Sequence, residues 1–388
     1  MSAAHKSVLL IFFSTFLFAC GGGGGSSASS LTNSSMANSS TDGAAAPSSG
    51  GAASGGAAQA VSQTSAPVTN ACSNVTCAGH GTCSVASGGQ AACSCATGFH
   101  VSGLSCIQDP PKLGQLLGVY CGNKPEDVSA FEIWLGHPVD GVLGYTGANG
   151  WADYDGSVSW AAGLWRPLNR RVLWSIPLIP NNGTLAAAAR GDYNDHYLQA
   201  ARTLAKFRPQ DAEIYIRTGW EFNGSWFPWA ANGKTQDFIG AFRQFVAAYR
   251  SVSNRFVFEW NVNIADGGPD PTSAYPGDDY VDIIGMDFYW DTKWYPADPA
   301  KAWNQMLKSK YGLQWHQNFA AAHNKRTAYS EWGVMSDNAS FIQNANAWFA
   351  SHDVVYQTYW NSNSAFKGKL SDGQYPQAAE AYRSAFAP

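Results

Sequence analysis

The sequence predicts an α/β chain whose larger part closes into a (β/α)8 barrel of the TIM type, behind a small disulfide-rich module and a disordered tether. Three observations carry that prediction. Eight short apolar runs recur between residues 115 and 360, with helical patterns between them. The stretch 112–388 has the size of one such barrel. Six of the eight cysteines crowd into residues 72–106, ahead of it.

Residues 1–20 read as a targeting segment. Met1–Lys6 is polar and weakly basic, and Ser7–Ala19 is apolar but too short to span a bilayer stably. The segment ends in Leu17-Phe-Ala-Cys20, which resembles the lipobox of bacterial lipoproteins. That resemblance implies export, a lipid on Cys20 and anchoring at the bacterial cell surface or outer membrane, with the lipid as the chain's only tie to a membrane. The alternative is an ordinary secretory signal. Residues 21–70 are mostly Gly, Ser, Ala, Thr and Asn, without an aromatic residue. Such a stretch buries too little apolar surface to offset its ordering entropy, and it reads as a flexible linker.

Residues 71–108 hold Cys72, Cys77, Cys83, Cys93, Cys95 and Cys106, separated by four, five, nine, one and ten residues. In an exported chain this density signals a disulfide-stapled module, and spacing alone leaves the pairing open. The pattern, with Gly98-Phe99 before the last cysteine, resembles an epidermal-growth-factor-like module. The resemblance implies the pairs Cys72–Cys83, Cys77–Cys93 and Cys95–Cys106; a rigid spacer is the expected role. No acidic cluster precedes Cys72, so calcium is not expected. Cys121 is left over and reads as a buried small apolar residue.

Asp109-Pro-Pro111 marks a stiff boundary, and all 16 tryptophans lie beyond it. The candidate strands are Gln115–Tyr120, Gly141–Tyr145, Val172–Leu178, Glu213–Arg217, Phe256–Asn261, Val281–Tyr289, Thr327–Trp332 and Val354–Trp360. Phe238, Phe242, Phe245, Val246 and Tyr249 line one face of a helix for which Thr235 is the expected N-cap. A second helix is expected over Ser340–Ser351. Helical periodicity is poor in 151–169, the weakest unit of the barrel pattern.

Barrel chemistry belongs at the C-terminal ends of strands. Those ends read Tyr145, Glu221, Asn261, Asp287, Tyr289, Glu331 and Trp360. Glu221 sits in Arg217-Thr-Gly-Trp-Glu-Phe-Asn-Gly-Ser-Trp-Phe-Pro-Trp229, beside Trp220, Trp226 and Trp229. Aromatic rings stack on sugar faces, and their low polarity raises a carboxyl pKa. The alternative is a solvated glutamate next to packing aromatics. A second strand-end glutamate, Glu331, supplies the partner that glycosidic cleavage requires.

Residues 112–388 resemble glycoside hydrolase family 26, retaining β-glycanases that include endo-β-1,4-mannanases. Glu221-Phe-Asn-Gly-Ser-Trp-Phe-Pro-Trp229 is similar to the family's Glu-x-Asn-Gly-x-Trp-x-x-Trp, Ser330-Glu-Trp-Gly333 to its strand-7 segment and Asp287-Phe-Tyr289 to its strand-6 segment. The resemblance implies Glu221 as acid/base, Glu331 as nucleophile, Tyr289 in contact with the nucleophile and Trp360 as the floor of the cleaving subsite. Trp220, Asn223, Trp226, Trp229, Arg217, Asn261 and Asp287 complete the expected substrate-binding set. Arg217 and Tyr289 are also expected to orient the glutamates and tune their charge; for Arg217 the alternative is an interior salt bridge, and Asn261 and Asp287 could simply finish strands. Trp220 departs from the histidine usual in the family's mannanases, which puts mannan in doubt.

No cofactor is expected. His196, His316 and His323 lack metal-ligand spacing, so no metal is expected either, and Glu259 and Asp282 read as structural. The net charge of −4 is mild and unclustered, which excludes nucleic acid and acidic membrane surfaces as partners. A monomer acting on a polysaccharide or oligosaccharide is the expected state. The competing readings are a hydrolase of another β-glycan (β-1,3-xylan, mixed-linkage glucan or a bacterial exopolysaccharide) and a surface protein that binds glycan without cutting it.

Overall fold

The structure is a computed structural model and describes residues 71–86, 88–95, 99–108, 115–265 and 269–387. The targeting segment with Cys20, the linker 21–70 and the boundary at 109–111 lie outside the described residues. The described residues fall into two compact units, up to Gln108 and beyond it.

The first unit holds two antiparallel pairs, β1 (Gly81–Val85) with β2 (Ala91–Cys95) and β3 (Phe99–Ser102) with β4 (Ser105–Gln108). Its disulfides join Cys72 to Cys83, Cys77 to Cys93 and Cys95 to Cys106. These are the pairs that the spacing resemblance implies. Its core is the sulfur itself: buried Cys77, Cys93 and Cys106, with Val75 packed against them. So small a core leaves the cross-links to supply the stability.

In the second unit eight parallel strands close a barrel in the order β10-β11-β12-β5-β6-β7-β8-β9. They are β5 (Leu116–Tyr120), β6 (Gly141–Tyr145), β7 (Arg171–Ser175), β8 (Ile214–Arg217), β9 (Phe256–Asn263), β10 (Ile283–Trp290), β11 (Arg326–Val334) and β12 (Val354–Trp360). The helices around them are α1 (Pro125–Leu135), α2 (Trp151–Trp165), α3 (Leu185–Ala189), α4 (Asn194–Phe207), α5 (Thr235–Val252), α6 (Pro299–Lys308), α7 (Leu313–Ala322), α8 (Ala339–Ser351) and α9 (Pro376–Ala385). Each of the eight expected strands is present.

The weakest unit of the pattern is present, and one expectation is corrected. Residues 151–165 are helical despite their weak pattern. Tyr154, Val158, Ala161, Ala162 and Trp165 form the buried stripe, while Trp160 on the outer face is 55% exposed and blurs the period. Thr235 is the first helical residue of α5 and not its cap; the Lys234 carbonyl accepts the Phe238 N–H.

Strand alternation divides the packing into two layers. Outward residues such as Ile214, Ile216, Phe256, Phe258 and Trp260 join the core shared with the helices. Inward residues Leu143, Leu173, Tyr215, Ile283, Ala328, Val355 and Tyr356 form a separate apolar plug inside the barrel. Ionic contacts buried beside so apolar a cluster are poorly screened.

Candidate active site

Above the plug lies a buried polar layer. Arg217, 1% exposed, donates through Nη1 to Asp287 Oδ2 at 2.8 Å and through Nε to Ser175 Oγ at 3.0 Å. Asn261 Nδ2 donates to Asp287 Oδ1 at 2.9 Å and to Glu259 Oε1 at 3.0 Å. Glu259 also accepts the Ser330 hydroxyl at 2.5 Å and the Tyr356 phenol. Gly285 makes room for it, since a Cβ there would fall 1.8 Å from Glu259 Oε1.

Glu331 stands on this layer. Its Oε1 accepts Arg217 Nη2 at 2.6 Å and the Tyr145 hydroxyl, and its Oε2 accepts the Tyr289 hydroxyl at 2.5 Å. A local irregularity brings it here. Between Gly285↔Ala328 and Asp287↔Glu331, β10 advances two residues and β11 three. The extra residue is a β-bulge. It turns both Ser330 and Glu331 inward, where strict alternation would send one of them out. Burial, with the charge of Glu331 added, pushes the Tyr289 phenol well up, so it stays a proton donor.

Glu221 is built differently. It follows Gly219 (φ 59°) in the turn leaving β8 and itself adopts φ 51°, a left-handed conformation that costs a non-glycine residue energy. Its Oε1 accepts Asn263 Nδ2 at 2.7 Å and its Oε2 accepts Trp226 Nε1 at 2.8 Å. The motif spacing serves these two bonds. Asn223 clamps Asn263, donating to its carbonyl at 2.8 Å and accepting its N–H at 2.9 Å. Gly224 lets the Trp226 ring pass, because a Cβ there would lie 2.4 Å from it. Burial first and the charge of Glu331 second push the Glu221 carboxyl up to about 7, against the opposing pull of Asn263, Trp226 and Arg217. A group so poised holds and releases a proton near neutrality.

Aromatic rings wall the site. Tyr120 stacks on Trp360 with centroids 4.0 Å apart, Trp220 meets Tyr145 edge-on at 5.7 Å, and Phe366 lies 4.3 Å from Tyr289. Among the residues expected to bind substrate, Trp226 is half-buried and Trp360 keeps 7% of its surface exposed. Five others are enclosed or bonded within the protein. Trp229 is 1% exposed and donates to the Trp220 carbonyl at 2.7 Å, so it is packing beneath Trp220. Arg217, Asn261 and Asp287 are enclosed in the layer below Glu331, and both side-chain bonds of Asn223 go to the backbone of Asn263. These four make their side-chain hydrogen bonds within the protein.

Sequence reasoning missed Asn263 by ending its strand at Asn261. The alternation Glu259, Asn261, Asn263 along β9 is the signal that could have found it. Glu259 was read as structural, and it is the fully enclosed carboxyl of the buried layer. Tyr120, Phe366 and the donor role of Tyr145 come only from barrel closure. Cys121 is buried, with Asn361 Nδ2 at 3.7 Å, and burial pushes its thiol up to about 12, leaving it unreactive.

Comparison with known proteins adds a family to this geometry. Residues 186–368 match the model of glycosyl hydrolase family 26, a span that contains both Glu221 and Glu331. Endoglucanase H of Acetivibrio thermocellus is 27% identical over 187 residues, 45% of this chain and 20% of that protein. β-1,3-Xylanase TXYA of a Vibrio species is 29% identical over 129 residues, 31% of this chain and 26% of that protein. Mannan endo-1,4-β-mannosidase A and B of Caldalkalibacillus mannanilyticus is 31% identical over 104 residues, 25% and 20% of the two. The chain thus spans only 20–26% of the length of these relatives. Among solved structures, the catalytic domain of an endo-β-1,4-mannanase from Bacillus sp. JAMB-750 superposes with a TM-score of 0.54 at 16% identity, covering 71% of this chain and 87% of that one. A modular endo-β-1,4-mannanase from Cellulomonas fimi gives 0.51 at 17% identity, with 71% of each chain covered. At such identities the likeness speaks for the barrel alone, and the chain's similarity to glycosyl hydrolase family 26 rests on the match over residues 186–368, a little under half of its length.

Proposed function

We propose that the barrel is a retaining, endo-acting, mannanase-like β-glycan hydrolase in which Glu221 is the acid/base and Glu331 the nucleophile. One observation carries this reading: of two buried carboxyls at the same end of the barrel, Glu221 is met by neutral donors and Glu331 by a guanidinium and two phenols. In the first step a Glu331 oxygen bonds to the anomeric carbon as the glycosidic C–O bond breaks, and the Glu221 proton passes to the leaving oxygen. In the second, water attacks that carbon, Glu221 takes the water's proton, and the ester bond to Glu331 breaks. Arg217, Tyr145 and Tyr289 hold Glu331 in line and receive its charge when it is released.

The second reading keeps the mechanism and changes the sugar to β-1,3-xylan, mixed-linkage glucan or a bacterial exopolysaccharide. Trp220 favours it. Its ring packs 5.2 Å from the Arg217 guanidinium and offers one donor and no acceptor where the resemblance expects histidine. The relatives named a β-1,3-xylanase and an endoglucanase point the same way. A polysaccharide panel chooses between the two. Proton NMR of the first-formed anomer tests the mechanism, and an inverted product would end both readings.

For the rest of the chain we propose that residues 71–108 are an epidermal-growth-factor-like spacer and that a lipid on Cys20 anchors the exported protein. Cys20→Ser should move it from membranes into the soluble fraction; a wild-type protein that is already soluble and unlipidated counts against the anchor.

A further inference from the structure

Trp226 meets Glu221 through its indole N–H, at 2.8 Å from Oε2. The contact is built: Gly224 clears the ring's path, and Trp226 is half-buried. The two donors on Glu221 differ in kind. The Asn263 amide can turn its carbonyl toward a protonated carboxyl, whereas an indole N–H can only donate. The Trp226 bond therefore always favours the charged form.

We propose that Trp226 is a positioning residue for the proton of Glu221: its N–H holds the carboxylate, assisting the second, base-catalysed step at the expense of the first. The proposal rests on the two-step reading above. The charged groups facing Glu221 are Arg217 from β8, Glu331 from β11 and Asp287 from β10. Arg217 favours the carboxylate, and Glu331 and Asp287 oppose it. Once Glu331 is esterified its charge is gone, the opposition weakens, and the indole bond acts with Arg217 to make Glu221 a base. Before that, the same bond withholds the proton that the first step spends.

The test is Trp226→Phe, which keeps a ring and removes the N–H, with the benzothienyl analogue of tryptophan at 226 as the isosteric check. The alkaline limb of kcat/KM, which follows Glu221 in the free enzyme, should move up by roughly half to one pH unit. With an activated aryl glycoside, the burst of leaving group should become larger as the second step slows by roughly 3–10-fold. A change confined to KM, with the limb unmoved, would make Trp226 a sugar platform only and overturn the proposal. If melting curves show that the phenylalanine variant is unfolded, the benzothienyl protein decides. Failure of the underlying reading looks different: the unsubstituted protein would then form no glycosyl-enzyme at all.

Discussion

The ends of β8 and β11 each present a glutamate, and the comparison of their surroundings explains why one residue type can fill two roles. Glu221 is met by two neutral donors, Asn263 and Trp226, in a turn with left-handed backbone. Glu331 is met by a guanidinium and two phenols on a bulged but regular strand. A full positive charge is in contact only at Glu331, whereas burial and the charge of Glu331 raise the Glu221 carboxyl to about 7.

The sharpest way to break the comparison is to remove the held carboxylate. Glu331→Ala should lower turnover by on the order of 10⁴-fold or more on every substrate, whatever its leaving group. Near-native rates would mean that another group attacks. Removing the other carboxyl should behave otherwise. Glu221→Ala should cost about 10²–10⁴-fold on a polysaccharide and much less in the first step with an activated aryl leaving group, after which the glycosyl-enzyme accumulates. Equal losses on both substrate types would erase the distinction between the two sites.

Arg217 is the element that makes the sites unlike. Arg217→Met leaves Glu331 and Asp287 buried without their cation and should destabilise the fold by about 3–5 kcal/mol, read from chemical denaturation. A loss below about 1 kcal/mol would show that solvent screens the pair.

A smaller effect sharpens the contrast through pH. The Glu221 carboxyl is raised from 4.5 to about 7 in the folded state, so the folded protein binds this proton more tightly than the unfolded chain. Its contribution to stability is full below the unfolded value and is lost as pH rises through about 7. Between pH 4 and 8 the natural protein should therefore lose about 1–3 kcal/mol that Glu221→Gln does not. Parallel stability curves for the two proteins would show that Glu221 is not raised. The same group predicts that kcat/KM declines above about pH 7, because the first step uses the protonated form.

Much of this arrangement was legible in the chain. Eight β-rich runs spaced by helical patterns imply a parallel barrel, since parallel strands need crossovers and closure removes sheet edges. Barrel topology then points to the residues that end strands, and Glu221 and Glu331 are among them. The helix over 151–165 was obscured because Trp160 faces out, and periodicity registers hydrophobicity without regard to side. The motif at Glu221 was visible as a cluster of aromatics and amides, but its internal division of labour was not. Asn223 and Trp229 look like ligands in sequence and prove to be the clamp and packing for Asn263 and Trp220.

The sequence by itself determined the layer plan, the strands, the cysteine-dense module and the two glutamates, because local periodicity, turn chemistry and residue type express those directly. Only the tertiary structure decided which inward side chains meet. Arg217, Asp287 and Glu331 come from three strands far apart in the chain, and a single bulge in β11 sets the side to which Glu331 points. A strand's alternation is a local property, whereas the register at which it is interrupted depends on the neighbouring strand. The proton on Glu221 depends in the same way on burial and on Glu331, 110 residues away, a distance that no pattern along the chain records.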